Sequence, residues 1–150
     1  MSEPDPQIYG PMAADIKEVL IPSDALRQRV GELARAISSD YAGMNPLLVG
    51  VLKGVLFFMA DLLREITIPV EVDFLAVTSY SSESRRSGLV RLEKDLEISI
   101  KGRHVLFVED VVDTGLTLNY LLGSLQARQP ASLEVCVLFN KARNMSWRTM

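Results

Sequence analysis

Two adjacent carboxylates, Glu109 and Asp110, follow the apolar run 105–108, and a third acid, Asp113, stands three residues further on. Asp113 opens a small polar turn, Asp113-Thr114-Gly115-Leu116-Thr117, which runs into a leucine-rich segment. Each of these residue types has a chemistry. Carboxylates accept hydrogen bonds from sugar hydroxyls. A turn at a helix start offers backbone N–H groups, the Thr114 and Thr117 hydroxyls and the positive end of the helix dipole to a phosphate. Gly115 lets the backbone come close without a Cβ in the way. Strand, acidic pair and Gly/Thr turn together form a layout for holding a phosphorylated sugar. The plainer alternative is a solvated acidic pair beside an ordinary helix N-cap made by Asp113 or Thr114.

Other candidate residues are Lys53 and Gly54 in Leu52-Lys53-Gly54, the pair Ser79-Tyr80, and Lys141. Arg85 and Arg86 sit in the polar stretch 79–88 and read equally well as solvated charges or as anion contacts. His104, the single histidine, stands at a strand start and is expected to be structural. Cys136, the single cysteine, lies inside the apolar run 133–139 and reads as a small core residue.

The elements that must carry these residues follow from periodicity. Residues 1–14 contain three of the seven prolines and read as a flexible arm. From Ser23 or Asp24, either able to cap a helix, apolar residues fall at Leu26, Val30, Leu33, Ala34 and Ile37, one face of an amphipathic helix. Gly43, Asn45 and Pro46 end it. Residues 47–52 read as a buried strand, and 55–66, apolar almost all round, as a helix packed on a sheet. Residues 70–78 form another strand, 79–88 a mobile loop, and 89–100 alternate as the strands of a hairpin. After the strand 105–108 comes a helix with Leu118, Leu121, Leu122 and Leu125 on one stripe, then a last strand at 133–139. This alternation predicts an α/β fold, a mostly parallel sheet with helices on both faces. Ligands of such sheets bind beyond the carboxyl ends of the strands. Leu52-Lys53-Gly54, Ser79-Tyr80, Glu109-Asp110 and Lys141 each follow a predicted strand, so four segments converge on one rim.

Residues 105–118 resemble the phosphoribosyl pyrophosphate (PRPP) signature of type I phosphoribosyltransferases, and the Glu-Asp pair with Asp113-Thr-Gly looks like that family's hypoxanthine-guanine branch. With Leu52-Lys53-Gly54, Ser79-Tyr80 and Lys141 the resemblance extends over about residues 15–143, taken as the domain. It implies that Asp113, Thr114, Gly115, Leu116 and Thr117 hold the 5′-phosphate. Glu109 and Asp110 would address the ribose hydroxyls and a Mg²⁺ ion. Lys53 and Gly54 would line the pyrophosphate, with a Leu52–Lys53 peptide bond that is often cis. Ser79 and Tyr80 would open a loop that closes over PRPP. Asp113 would also handle the proton released as the purine reacts, or stabilise positive charge. Lys141 would donate to the 6-oxo group of hypoxanthine or guanine. Relatives are homodimers or homotetramers, acting in purine salvage.

Composition narrows the alternatives. One hundred and fifty residues suit one domain with one core. A net charge of −3 argues against a chain that coats nucleic acid, no segment reaches membrane-spanning length, and one cysteine suits the cytoplasm. Relatives continue some thirty residues past Lys141, so residues 144–150 are expected to be an irregular tail of a truncated chain, with Trp147 offering a ring for stacking. The segment that covers the purine is then missing, with weak or lost transfer and bared apolar surface favouring self-association. Two readings stand: a Mg²⁺-dependent purine phosphoribosyltransferase, or a non-catalytic remnant or PRPP-sensing regulator of the same fold.

Overall fold

The computed structural model describes residues 3–79 and 90–141, apart from the side chain of Ser79. Helix α1, Pro6–Tyr9, starts because Asp5 Oδ1 accepts from the Gln7 N–H at 2.8 Å and a proline stands at the first turn. A 3₁₀ helix, Gly10–Asp15, follows. The expected arm therefore carries short helical turns, and none of its described residues is buried.

Helix α2, Ser23–Asp40, buries Val30, Leu33, Ala34 and Ile37, while Leu26 is only partly covered. The capping expectation needs correction. Pro22 is the N-cap and no side chain caps the helix; Ser23 is its first residue, and Asp24 lies in the first turn beside the positive end of the dipole. Beyond the helix, Gly43 and Asn45 take positive φ, 77° and 47°, and turn the chain into strand β1, Leu47–Leu52. The remaining elements are α3 (Leu56–Glu65), β2 (Glu71–Ser79), β3 (Val90–Lys94), β4 (His104–Val112), α4 (Leu116–Gln126) and β5 (Ser132–Asn140).

The sheet order is β3-β2-β1-β4-β5. All neighbours are parallel except β3, which runs antiparallel to β2. Period-two alternation divides the core between the two faces. Leu48, Leu106, Val108 and Cys136 pack under α2 and α3. Leu47, Val49, Val105, Phe107, Val135 and Val137 pack under the leucines of α4. The expected α/β sheet with helices on both faces is what forms.

Two strand expectations differ from the outcome. Of residues 90–100 only Val90–Lys94 form a strand, β3, which pairs with β2 rather than with a neighbour of its own, and residue 89 lies outside the described residues. The second half is drawn out of strand pairing by the Asp73 carboxylate, whose Oδ2 accepts from the Glu97 and Ile98 N–H groups at 2.7 and 2.9 Å. Strand β4 also runs four residues past 108, so Glu109 and Asp110 lie within it. The parallel ladder to β5 continues there, pairing Glu109 with Val137 and Val111 with Phe139. Among the described residues no helix is long and apolar enough to cross a membrane.

Candidate active site

Strand β1 passes through α3 to β2 on one side of the sheet centre, and β4 passes through α4 to β5 on the other. Neighbouring strands whose connections leave in opposite directions open a crevice at their carboxyl ends. A hollow of about 310 Å³ lies there, lined from the β1 side by Val51, Leu52 and Gly54 and from the β4 side by Glu109, Val111, Val112, Asp113, Thr114, Gly115 and Thr117. Lys53 is exposed beside it, and its peptide bond to Leu52 is cis. Leu116 is exposed and does not line the hollow.

The turn is built by Gly115, whose φ of 77° belongs to the left-handed region and makes it the N-cap of α4. Neither Asp113 nor Thr114 caps the helix, although the Leu116 N–H comes within 3.4 Å of Thr114 Oγ1. The first bond inside the helix is from Asn119 N–H to the Gly115 carbonyl, at 2.8 Å. The N–H groups of the preceding turn thus have no acceptor within the helix, and Thr117 and Leu118 of that turn line the hollow. This is an anion-receptive end, and among the described residues no lysine or arginine lines the hollow with it.

The acidic pair splits. Glu109 lines the hollow, whereas Asp110 lines a neighbouring groove of about 190 Å³ with Gly54, Phe57, Phe58, Leu138 and Phe139. Alternation along the extended β4 turns the two side chains toward different cavities, though their carboxyl ends stay within reach of each other. Asp110 Oδ1 accepts from the Val111 N–H at 2.8 Å. Its carboxylate lies over Gly54, where a Cβ would sit in ordinary contact, 3.6 and 3.7 Å from the two oxygens. Burial, with the Asp110 charge beside it, pushes the Glu109 carboxyl up to about 8.

A family model of the phosphoribosyl transferase domain matches residues 21–146. The chain belongs to the phosphoribosyltransferase family. It is 47% identical over 133 residues to the hypoxanthine-guanine phosphoribosyltransferase of Mycobacterium avium, covering 85% of this chain and 66% of that one. Over 127 residues it is 47% identical to the Streptococcus agalactiae enzyme of the same name, covering 85% and 71%. The chain thus spans about two thirds of the length of the curated relatives it matches. The solved hypoxanthine phosphoribosyltransferase of Trypanosoma cruzi in complex with IMP superposes with a TM-score of 0.79 at 41% identity, covering 89% of this chain and 78% of that one.

The other candidates of this phosphoribosyltransferase domain divide between the same rim and the far edge. Lys141 is exposed immediately after β5, and its backbone N–H donates to the Val112 carbonyl at 2.8 Å, level with the residue before Asp113. Ser79 ends β2, paired with Val90. Tyr80, Arg85 and Arg86, and the tail with Trp147, lie outside the described residues. His104 is at the opposite edge, with Nδ1 2.8 Å from Ser132 Oγ. Burial pushes the Cys136 thiol up to about 12, which suits a core residue and not a nucleophile. Sequence reasoning missed Val51, Val111, Val112 and Leu121 as apolar walls of the hollow. The β-branched pair following Asp110 was the available signal, since it continues the strand.

Among the described residues no group of three or more His, Cys, Asp or Glu side chains is placed to hold a metal ion. The rim instead offers an acidic pair, Glu109 and Asp110. It fits Mg²⁺, which takes one or two carboxylates and completes its shell with waters and phosphate oxygens.

Proposed function

We propose that this chain is a purine-salvage phosphoribosyltransferase, moving the 5-phosphoribosyl group of PRPP to hypoxanthine or guanine and releasing pyrophosphate with IMP or GMP. The observation that carries the reading is the single hollow shared by the carboxyl end of β1 and the turn at the start of α4. The names of the relatives support the purine substrates.

In this reading the 5′-phosphate sits in the turn. The N–H groups of the first turn of α4, the Thr114 and Thr117 hydroxyls and the backbone at Gly115 and Leu116 donate to it. Glu109 and Asp110 accept from the ribose hydroxyls and are the residues that would hold Mg²⁺. When bound, Mg²⁺ supplies positive charge that neutralises the pyrophosphate as it departs. The backbone at Lys53 and Gly54 lines the pyrophosphate. Attack by purine N9 on C1′ forms the glycosidic bond as the C1′–oxygen bond to pyrophosphate breaks. Asp113 takes the proton that the purine releases. Lys141 donates to the 6-oxo group, which favours hypoxanthine and guanine over adenine. The loop opening at Ser79 and Tyr80 closes over the sugar and keeps water out.

The domain so defined is residues 15–143, in a cytoplasmic protein. A homodimer or homotetramer belongs to the same reading, supported by the exposed apolar side chains Leu56 and Phe57 on the first turn of α3. Formation of IMP from hypoxanthine, PRPP and Mg²⁺, slowed about 100-fold or more in an Asp113→Asn control, is the expected result. PRPP binding without any turnover would instead leave a non-catalytic PRPP-binding protein.

A further inference from the structure

We infer that Gly50, in the middle of β1 and outside the hollow, is a positioning residue for the Leu52-Lys53-Gly54 turn, because it lets Val55 seat directly on the strand. The inference rests on the PRPP reading of the hollow. Gly50 is in register with Phe74 of β2 and Val108 of β4, in a strand position that needs no left-handed backbone. Glycine weakens a strand interior, and where it stands there it commonly marks a close approach. A Cβ at Gly50 would lie 2.6 Å from Val55 Cγ1, 3.3 Å from Val55 Cγ2 and 3.1 Å from Met59 Cε. No other described glycine would meet anything nearer than 3.4 Å.

The two neighbours differ in what they can give. Met59 Cε is the end of a flexible side chain and can swing aside. Val55 is stiff at χ1 and fully buried, and its carbonyl accepts the Met59 N–H at 2.8 Å at the start of α3. An added methyl at position 50 therefore lifts Val55 by about 1 Å to reach an ordinary carbon–carbon separation. Gly54 is the next residue back along the chain. It lines both the hollow and the groove and lies under the Asp110 carboxylate, and the Lys53 carbonyl accepts from the Leu56 N–H at 3.2 Å. Moving Val55 moves this turn away from the acids of β4.

The test is PRPP affinity, measured by calorimetry with Mg²⁺ present, in Gly50→Ala, Val55→Ala and the double variant. Gly50→Ala is expected to weaken PRPP binding about ten- to a hundredfold. Adding Val55→Ala, which removes the displaced γ carbons, is expected to return it to within about threefold of Val55→Ala alone. Adding Met59→Ala instead should not. Unchanged affinity in Gly50→Ala, or a folded double variant that still binds weakly, overturns the inference. If Gly50→Ala does not fold, a double variant that folds and binds supports it, and one that also fails to fold overturns it. If the unaltered chain does not bind PRPP, the functional reading fails. The Lys53 and Gly54 amide resonances, shifted by Gly50→Ala and restored by Val55→Ala, then decide the positioning inference by themselves.

Discussion

Asp73 and Glu109 are both carboxylates drawn out of water on strands of one sheet, and their surroundings are opposite. Asp73 is 6% exposed at the base of the β2–β3 ribbon. Its oxygens accept from the N–H groups of Phe74, Glu97 and Ile98, and Lys94 Nζ lies 3.5 Å away. Burial pushes its carboxyl up, but the three N–H groups and Lys94 outweigh burial and hold it below the usual aspartate range. Glu109, on the rim of the hollow, is desolvated beside another carboxylate and is pushed up to about 8. Asp73 is thus a structural carboxylate, fully partnered by its own chain. Glu109 is held in a setting that favours neither burial nor charge, and a shifted carboxyl in a crevice is a mark of a functional site.

Four experiments break or sharpen that contrast. The largest effect is expected at Asp113. Asp113→Asn should lower kcat for IMP formation by about 100-fold or more while leaving Tm within roughly 2 °C, because the side chain is exposed. A loss of activity that tracks loss of Tm would make Asp113 structural. Next is Asp73→Ala, which leaves three part-buried N–H donors and Lys94 without their carboxylate and should cost about 3 kcal/mol, or roughly 10 °C in Tm, with PRPP affinity of the folded protein unchanged. A Tm within error of the starting protein would remove the contrast from that side. Gly115→Ala forces a side chain into the left-handed region and should cost about 1–2 kcal/mol in denaturant unfolding, with weaker phosphate binding. The smallest stability change is expected for Glu109→Gln. Measured without Mg²⁺, it should leave stability unchanged or raise it by about 1 kcal/mol, while weakening PRPP binding. A clearly destabilised Glu109→Gln would mean that the carboxylate is structural after all.

The same contrast has an acid-side signature. Because the folded Asp73 carboxyl is held low, its stabilisation is present above the ordinary aspartate range and is lost as pH falls through the depressed folded value. Asp73→Asn should therefore be less stable at neutral pH yet flatter in its acid dependence, as read by urea unfolding across pH 2 to 6. Parallel pH curves for the two proteins would show that Asp73 is not the group responsible.

The sequence by itself settled whatever is written within a few residues. The helix stripes Val30-Leu33-Ala34-Ile37 and Leu118-Leu121-Leu122-Leu125, the apolar strand runs and the Gly115 turn all follow from local periodicity and backbone preference, and each forms, although β4 outruns its apolar core and α4 begins already at Leu116. The resemblance to phosphoribosyltransferases was legible for the same reason, being carried by short motifs. Tertiary structure decided the pairings between distant segments. A local pattern marks residues 89–100 as extended, but only the nearness of Asp73 gives Glu97 and Ile98 a side-chain acceptor in place of a strand partner. A pair of adjacent acids says nothing about which cavity each one enters. That depended on β4 running on along β5 to Val112, which sends Glu109 to the hollow and Asp110 over Gly54. Hydrogen-bond partners and packing neighbours far apart in the chain are chosen by competition among long-range contacts, and that competition is resolved only when the sheet assembles.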